Sequence, residues 1–181
     1  MFKNLILAVS LLFTLFSGEV SAKVPEFSNG PVIAEYGPKV QIPGALENPK
    51  QQSFKIFFDI SEPSEDGTIN RNYNTVARFI NMHVAAGVPK ENLKIAMVIH
   101  GKATEEMLLN EFYQKRMEMD NVNDDLLAAL LDNGVEIYVC GQSASYYQIG
   151  PAQLKPGINM ALSAMTANLL LQQQGYILNP F

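Results

Sequence analysis

The 181-residue chain holds one cysteine, two histidines and no cluster of basic residues. One Cys and two His cannot close a structural zinc site, which takes four such ligands. A lone Cys forms no internal disulfide. The net charge is −5, and a mildly acidic chain lacks the basic face that nucleic-acid binding needs. The densest basic stretch, Lys115-Arg116, sits beside Glu111, Glu118 and Asp120, as on a solvated helix face. No cofactor is expected, since the Gly-rich phosphate fingerprints are missing. No G-x-S-x-G elbow surrounds Ser143 or Ser145, so they form no serine nucleophile motif. Repeats and low-complexity segments are absent, and no apolar run reaches the ~20 residues of a comfortable membrane span.

What is present begins with an export signal. Lys3 supplies a positive start, Leu5 to Phe16 a short apolar stretch, and Val20-Ser21-Ala22 a small-residue cleavage site. Residues 1–22 are therefore expected to be a signal peptide, with the mature chain starting at Lys23. Such a chain is exported, to the periplasm, with no stable membrane insertion after cleavage. In that setting an unpaired Cys implies intermolecular pairing or a free, reactive thiol. The alternative is a small buried hydrophobe.

Residues 23–53 carry Pro25, Pro31, Pro38, Pro43 and Pro49, with Gly30, Gly37 and Gly44 between them. Proline fixes φ and removes a donor, so neither a helix nor a central strand fits. Val32, Ile33, Tyr36, Val40 and Ile42 give the segment something to pack. It reads as an extended arm lying on the domain or on a neighbouring subunit.

Residues 54–181 read as one α/β domain. Phe54-Lys55-Ile56-Phe57-Phe58-Asp59-Ile60 is a β-rich run. Asn70 or Asn72 caps a helix with Tyr73, Val76, Ala77, Ile80 and Val84 at helical spacing. Leu93 to His100 is a second strand. Thr104 followed by Glu105 and Glu106 reads as a helix cap, with a helix running to about Met117. Another helix starts at Asn123 and stops at Asn133-Gly134. Val135 to Val139 is a third strand, Ser143 a cap for a short helix, Ile158 to Leu162 a fourth strand, and Ser163 to Gln174 a closing helix. Strands alternating with helices at these lengths predict a parallel sheet covered on both faces.

In such a sheet, residues just past the strand ends gather on one rim, where ligands bind. Asp59, His100 and Cys140 fall there. Cys140 is followed by Gly141 and by a helix start, where N–H groups favour the nucleophilic thiolate. It is expected to be partly accessible and more acidic than a free Cys, whose pKa is about 8.5. Cys140 and His100 are the candidate catalytic residues, with His100 as base or partner to the thiolate. Asp59 reads rather as a turn residue bonding its own loop. Binding a metal would require Asp59, His100 and Cys140 all at roughly 2.0–2.3 Å from one ion, and no metal is expected. His83 reads as filler at the core edge. Tyr146 and Tyr147 wall a thiol pocket or pack at a subunit interface.

Several of these stretches resemble the DsrE/DsrF-like family. They are Lys55-Ile56-Phe57-Phe58-Asp59, Leu93 to His100 and Asn133-Gly134-Val135-Glu136-Ile137-Tyr138-Val139-Cys140. Gly30-Pro31-Val32-Ile33, Tyr36-Gly37, Met160-Ala161-Leu162-Ser163-Ala164-Met165 and Gln172-Gln173-Gln174-Gly175-Tyr176 are similar to exported members. The resemblance implies a three-layer α/β/α domain with a mainly parallel sheet, assembled as a trimer or hexamer. It also implies a persulfide carried on Cys140 and exchanged with a sulfur donor or acceptor protein. Two departures stand out. Relay members often have an Arg-Gly pair several residues after the Cys, where this chain has Ser145-Tyr146-Tyr147-Gln148-Ile149-Gly150; and they work in the cytoplasm. The expected function is exported sulfur handling through one reactive cysteine. The alternative is a non-catalytic oligomeric binding protein with a structural cysteine.

Overall fold

The structure, a computed structural model, describes residues 25–65 and 67–180. The expected signal peptide and the start at Lys23 lie outside the described residues. Five parallel strands form one sheet: β1 (Phe54–Ile60), β2 (Leu93–Ile99), β3 (Glu136–Cys140), β4 (Ile158–Ala161) and β5 (Ile177–Asn179). Their order across the sheet is β4-β3-β2-β1-β5. The helices are α1 (Arg71–Ala85), α2 (Asn110–Met117), α3 (Asp124–Asp132), α4 (Gly141–Tyr146) and α5 (Ala164–Gln173).

Strand side chains alternate between faces, and the core divides accordingly. Phe58, Ile60, Met97, Ile99, Ile137 and Val139 pack with α1 and α3. Phe57, Ala96 and Val98 pack with Ala167 and Leu171 of α5 and with Tyr176. The α/β/α expectation holds, because a parallel sheet must be covered on both faces. α1 starts where its cap predicts: the Asn70 side chain accepts from Asn72 N–H at 2.9 Å.

The arm rests on its own domain. Buried Asn81 of α1 holds it like a strand partner, its amide oxygen accepting from Val32 and Ile33 N–H and its Nδ2 donating to the Ile33, Tyr36 and Gly37 carbonyls. Gly37, at φ +69°, passes so close to α1 that an added Cβ would sit 2.4 Å from Ala77 backbone carbon. Ile33 thereby joins the main core.

Three local expectations change. A fifth strand, β5, follows the closing helix. The stretch after β2 opens as a 3-10 segment, Gly101–Met107, before α2. Thr104 is not a cap but is buried inside that segment. The reason is Glu106, which is 2% exposed and gathers donors from four directions. Ser64 N–H and hydroxyl reach its Oε1 at 2.8 and 2.5 Å, with Asn123 Nδ2 at 3.2 Å. Asn70 Nδ2 and Tyr73 hydroxyl reach its Oε2 at 2.9 and 2.6 Å. Asn123 stands at the start of α3 as expected, yet its side chain serves this cluster and not its own helix. Finally, α4 begins at Gly141 and its cap is Cys140, not Ser143.

Candidate functional site

Cys140 ends β3 and starts α4 in a single step. Gly141 permits this, since an added Cβ would meet the Ala161 carbonyl oxygen of β4 at 2.7 Å. The cysteine is only 5% exposed, less than the partial accessibility expected. The strand carries it beneath the start of α5, and α4 closes over the other side. Its sulfur is nonetheless in polar company. Ser143 N–H donates to Sγ at 3.5 Å. The Ser143 hydroxyl accepts from Gly101 N–H at 3.0 Å, which ties α4 to the residue following His100. Burial pushes the Cys140 thiol up. The Ser143 N–H and hydroxyl, followed by Ala164 and Gln142 N–H, outweigh it and hold the thiol below its ordinary value.

Asp59 and His100 lie on the same rim. Asp59 shares its face of β1 with Phe57, and His100 continues the face of Ala96 and Val98. Asp59 does not bond its own loop: it meets His100 Nε2 through Oδ1 at 2.5 Å and accepts from Asn168 Nδ2 of α5 through Oδ2. Among the described residues, no hydrogen bond joins the Cys140 sulfur to the imidazole. The register does make them neighbours, because Ile99 pairs with Val139 and each is followed by one of the two. Asn168 was missed in the sequence. The signal for it was there: a polar residue at i+4 from Ala164 and three before Leu171, on the buried stripe of an uncharged helix.

The other candidates lie elsewhere. His83 lies tilted over Phe79, meets Phe54 edge-on and donates Nδ1–H to the Phe79 carbonyl. Burial lowers its pKa, with that bond opposing. Tyr146 is exposed and meets Tyr147 edge-on. Arg116 arrives from α2 beside α4, but its guanidinium caps the Tyr147 and Gln148 carbonyls, away from the thiol. Concave regions of about 430 and 320 Å³ lie under the arm, and neither is lined by Asp59, His100 or Cys140. Among the described residues, no group of three or more His, Cys, Asp or Glu side chains is placed to hold a metal ion, and no helix is long and apolar enough to cross a membrane.

The sequence profile of the DsrE/DsrF-like family matches residues 55–180. The chain belongs to the DsrE/DsrF-like family. No curated protein matches it. Among solved structures it is similar to a protein of unknown function from Methanobacterium thermoautotrophicum, at 14% identity and a TM-score of 0.52. That match covers 70% of this chain and 100% of the other, and a likeness at such identity shows the fold alone. Within this DsrE/DsrF-like domain the rim is flanked by an uncharged surface. No Asp, Glu, Lys or Arg occurs from Pro156 onward, and Leu162, Met165, Leu169 and Ile177 are exposed there.

Proposed function

We propose that this chain is an exported sulfur-handling protein in which Cys140 carries a persulfide or works as a redox thiol. The observation that carries the reading is the environment of Sγ: four donor groups at the junction of β3 and α4 favour the anionic form of the sulfur. Thiolate is the form that attacks sulfur. Membership of a family associated with sulfur relay points the same way. The donors are neutral N–H and O–H groups with no cation among them, so the thiolate is favoured modestly. We propose a homo-oligomer, a trimer or hexamer, exchanging sulfur with a donor or acceptor protein; the exposed apolar side chains of α5 and the strands beside it support assembly.

A second reading has its own observation. A cysteine only 5% exposed suits a non-catalytic oligomeric binding protein in which the thiol is structural. Glutathione persulfide and intact-mass measurement separate the two. Wild type is expected to gain one sulfur atom and Cys140→Ser none. A wild type that gains nothing, and whose thiol alkylates no faster than in the unfolded chain at neutral pH, leaves the non-catalytic reading in place.

A further inference from the structure

We infer that Asp59 and Asn168 are positioning residues that make His100 the proton donor and acceptor for sulfur exchange at Cys140. The inference rests on the sulfur-handling reading above and assigns two residues to it that the sequence did not.

An ionised carboxylate accepts hydrogen bonds and donates none. The 2.5 Å contact between Asp59 Oδ1 and His100 Nε2 therefore places a proton on Nε2. In the neutral ring the lone pair is left on Nδ1, free for proton exchange. Asp59 is itself fixed, because Asn168 Nδ2 occupies its second oxygen. This arrangement contributes little to stability: the two side chains are 33% and 27% exposed, and ion pairs so open to water are worth little. Its geometry is better explained by what it orients. The same helix that supplies Asn168 also supplies the Ala164 N–H that favours the Cys140 thiolate. One element thus sets both the nucleophile and the imidazole.

The step balances without an external oxidant. The Cys140 thiolate attacks the outer sulfur of a low-molecular-weight or protein persulfide, R–S–SH. A sulfur–sulfur bond forms to Cys140 as the donor's own sulfur–sulfur bond breaks. The electron pair leaves on R–S⁻, and a proton that His100 Nδ1 has taken up from water passes to it, giving R–SH and a neutral ring. Cys140 sulfur is oxidised and the donor's inner sulfur reduced by the same amount.

The test is a double-mutant cycle on single-turnover persulfidation by glutathione persulfide, with Asp59→Asn, His100→Gln and both together. General acid–base groups contribute typically 10²–10⁴-fold, so each single variant should slow transfer by about 10-fold or more. The double variant should be no slower than His100→Gln, because residues acting as a unit are not additive. Asn168→Ala should slow the wild type and have no effect in the Asp59→Asn background. Alkylation by iodoacetamide is the control, since iodide leaves without a proton; it should stay within about twofold of wild type in every variant, as the thiolate donors are untouched. Multiplicative losses in the cycle, or alkylation falling in step with persulfidation, would overturn the inference while sulfur transfer itself stands. A wild type that accepts no sulfur overturns both.

Discussion

Glu106 and Asp59 are carboxylates near the same sheet rim, on opposite sides of it. Glu106 receives five hydrogen bonds and is almost fully enclosed. Asp59 receives two and stands partly in solvent. The donors to Glu106 come from the loop after β1, from α1 and its cap, and from the head of α3. A carboxylate so saturated has no lone pair to offer a ligand. It ties loops together, and every member of such a network depends on the rest. The Asp59 cluster ends in the second ring nitrogen of His100, one strand away from the Cys140 thiol. Of two polar clusters, the filled one is architecture and the unfilled one is where chemistry can happen.

That contrast is most directly broken by deletion. Glu106→Ala leaves several buried donors unpaired, each costing about 1–3 kcal/mol, so a total loss of several kcal/mol is expected. A loss of roughly 10 °C in Tm is expected in calorimetry for a chain of this size. A shift under about 3 °C would make Glu106 no more structural than a surface acid. Asp59→Ala is the counterpart. It should move stability by no more than about 1 kcal/mol while slowing persulfidation.

Ser143 sharpens the comparison within the rim. Ser143→Ala removes one donor to Cys140 and the acceptor of Gly101 N–H, leaving the backbone donors. The thiol should become less acidic, and alkylation at neutral pH should slow by about threefold.

The smallest effect is on stability against pH. The folded thiol lies below its unfolded value of about 8.5. Its contribution is present above that value and fades as pH falls through the folded pKa. Urea midpoints should rise with pH across that window in wild type and stay flat in Cys140→Ser. Above pH 10 the sign reverses. Glu136 accepts from the Tyr138 and Tyr176 hydroxyls. That bond in Tyr138, and burial followed by Glu136 in Tyr176, raise both to about 12. Their contribution is full below about 10 and lost as pH climbs toward 12.

Much of the fold was legible in the sequence because its signals are local. Runs such as Phe54 to Ile60, with an Asn cap and a Gly stop on the helix that follows, need no distant partner to be read. Strand β5 was not legible: Ile-Leu-Asn is three residues long, sits at an edge and leaves its apolar side chains exposed. Thr104 and Ser143 looked like caps from residue type. Each went elsewhere because a buried group claimed the segment, Glu106 in one case and Cys140 Sγ in the other. The rim residues Asp59, His100 and Cys140 followed from strand ends alone. The Asp59 contacts did not, since they join β1 to residues after β2 and on α5, and that proximity depends on strand order.

The last strand of the sheet lies beside the first. β1 leaves one edge of its backbone unpaired until residues 177–179 arrive, so a growing chain carries an open apolar strand edge until they emerge. Such an edge is a template for any passing strand, and pairings between distant parts of a chain are the slow ones to form. Completion of this sheet therefore waits for residues 177–179, and a chain lacking them would be held together by helices around an unfinished sheet.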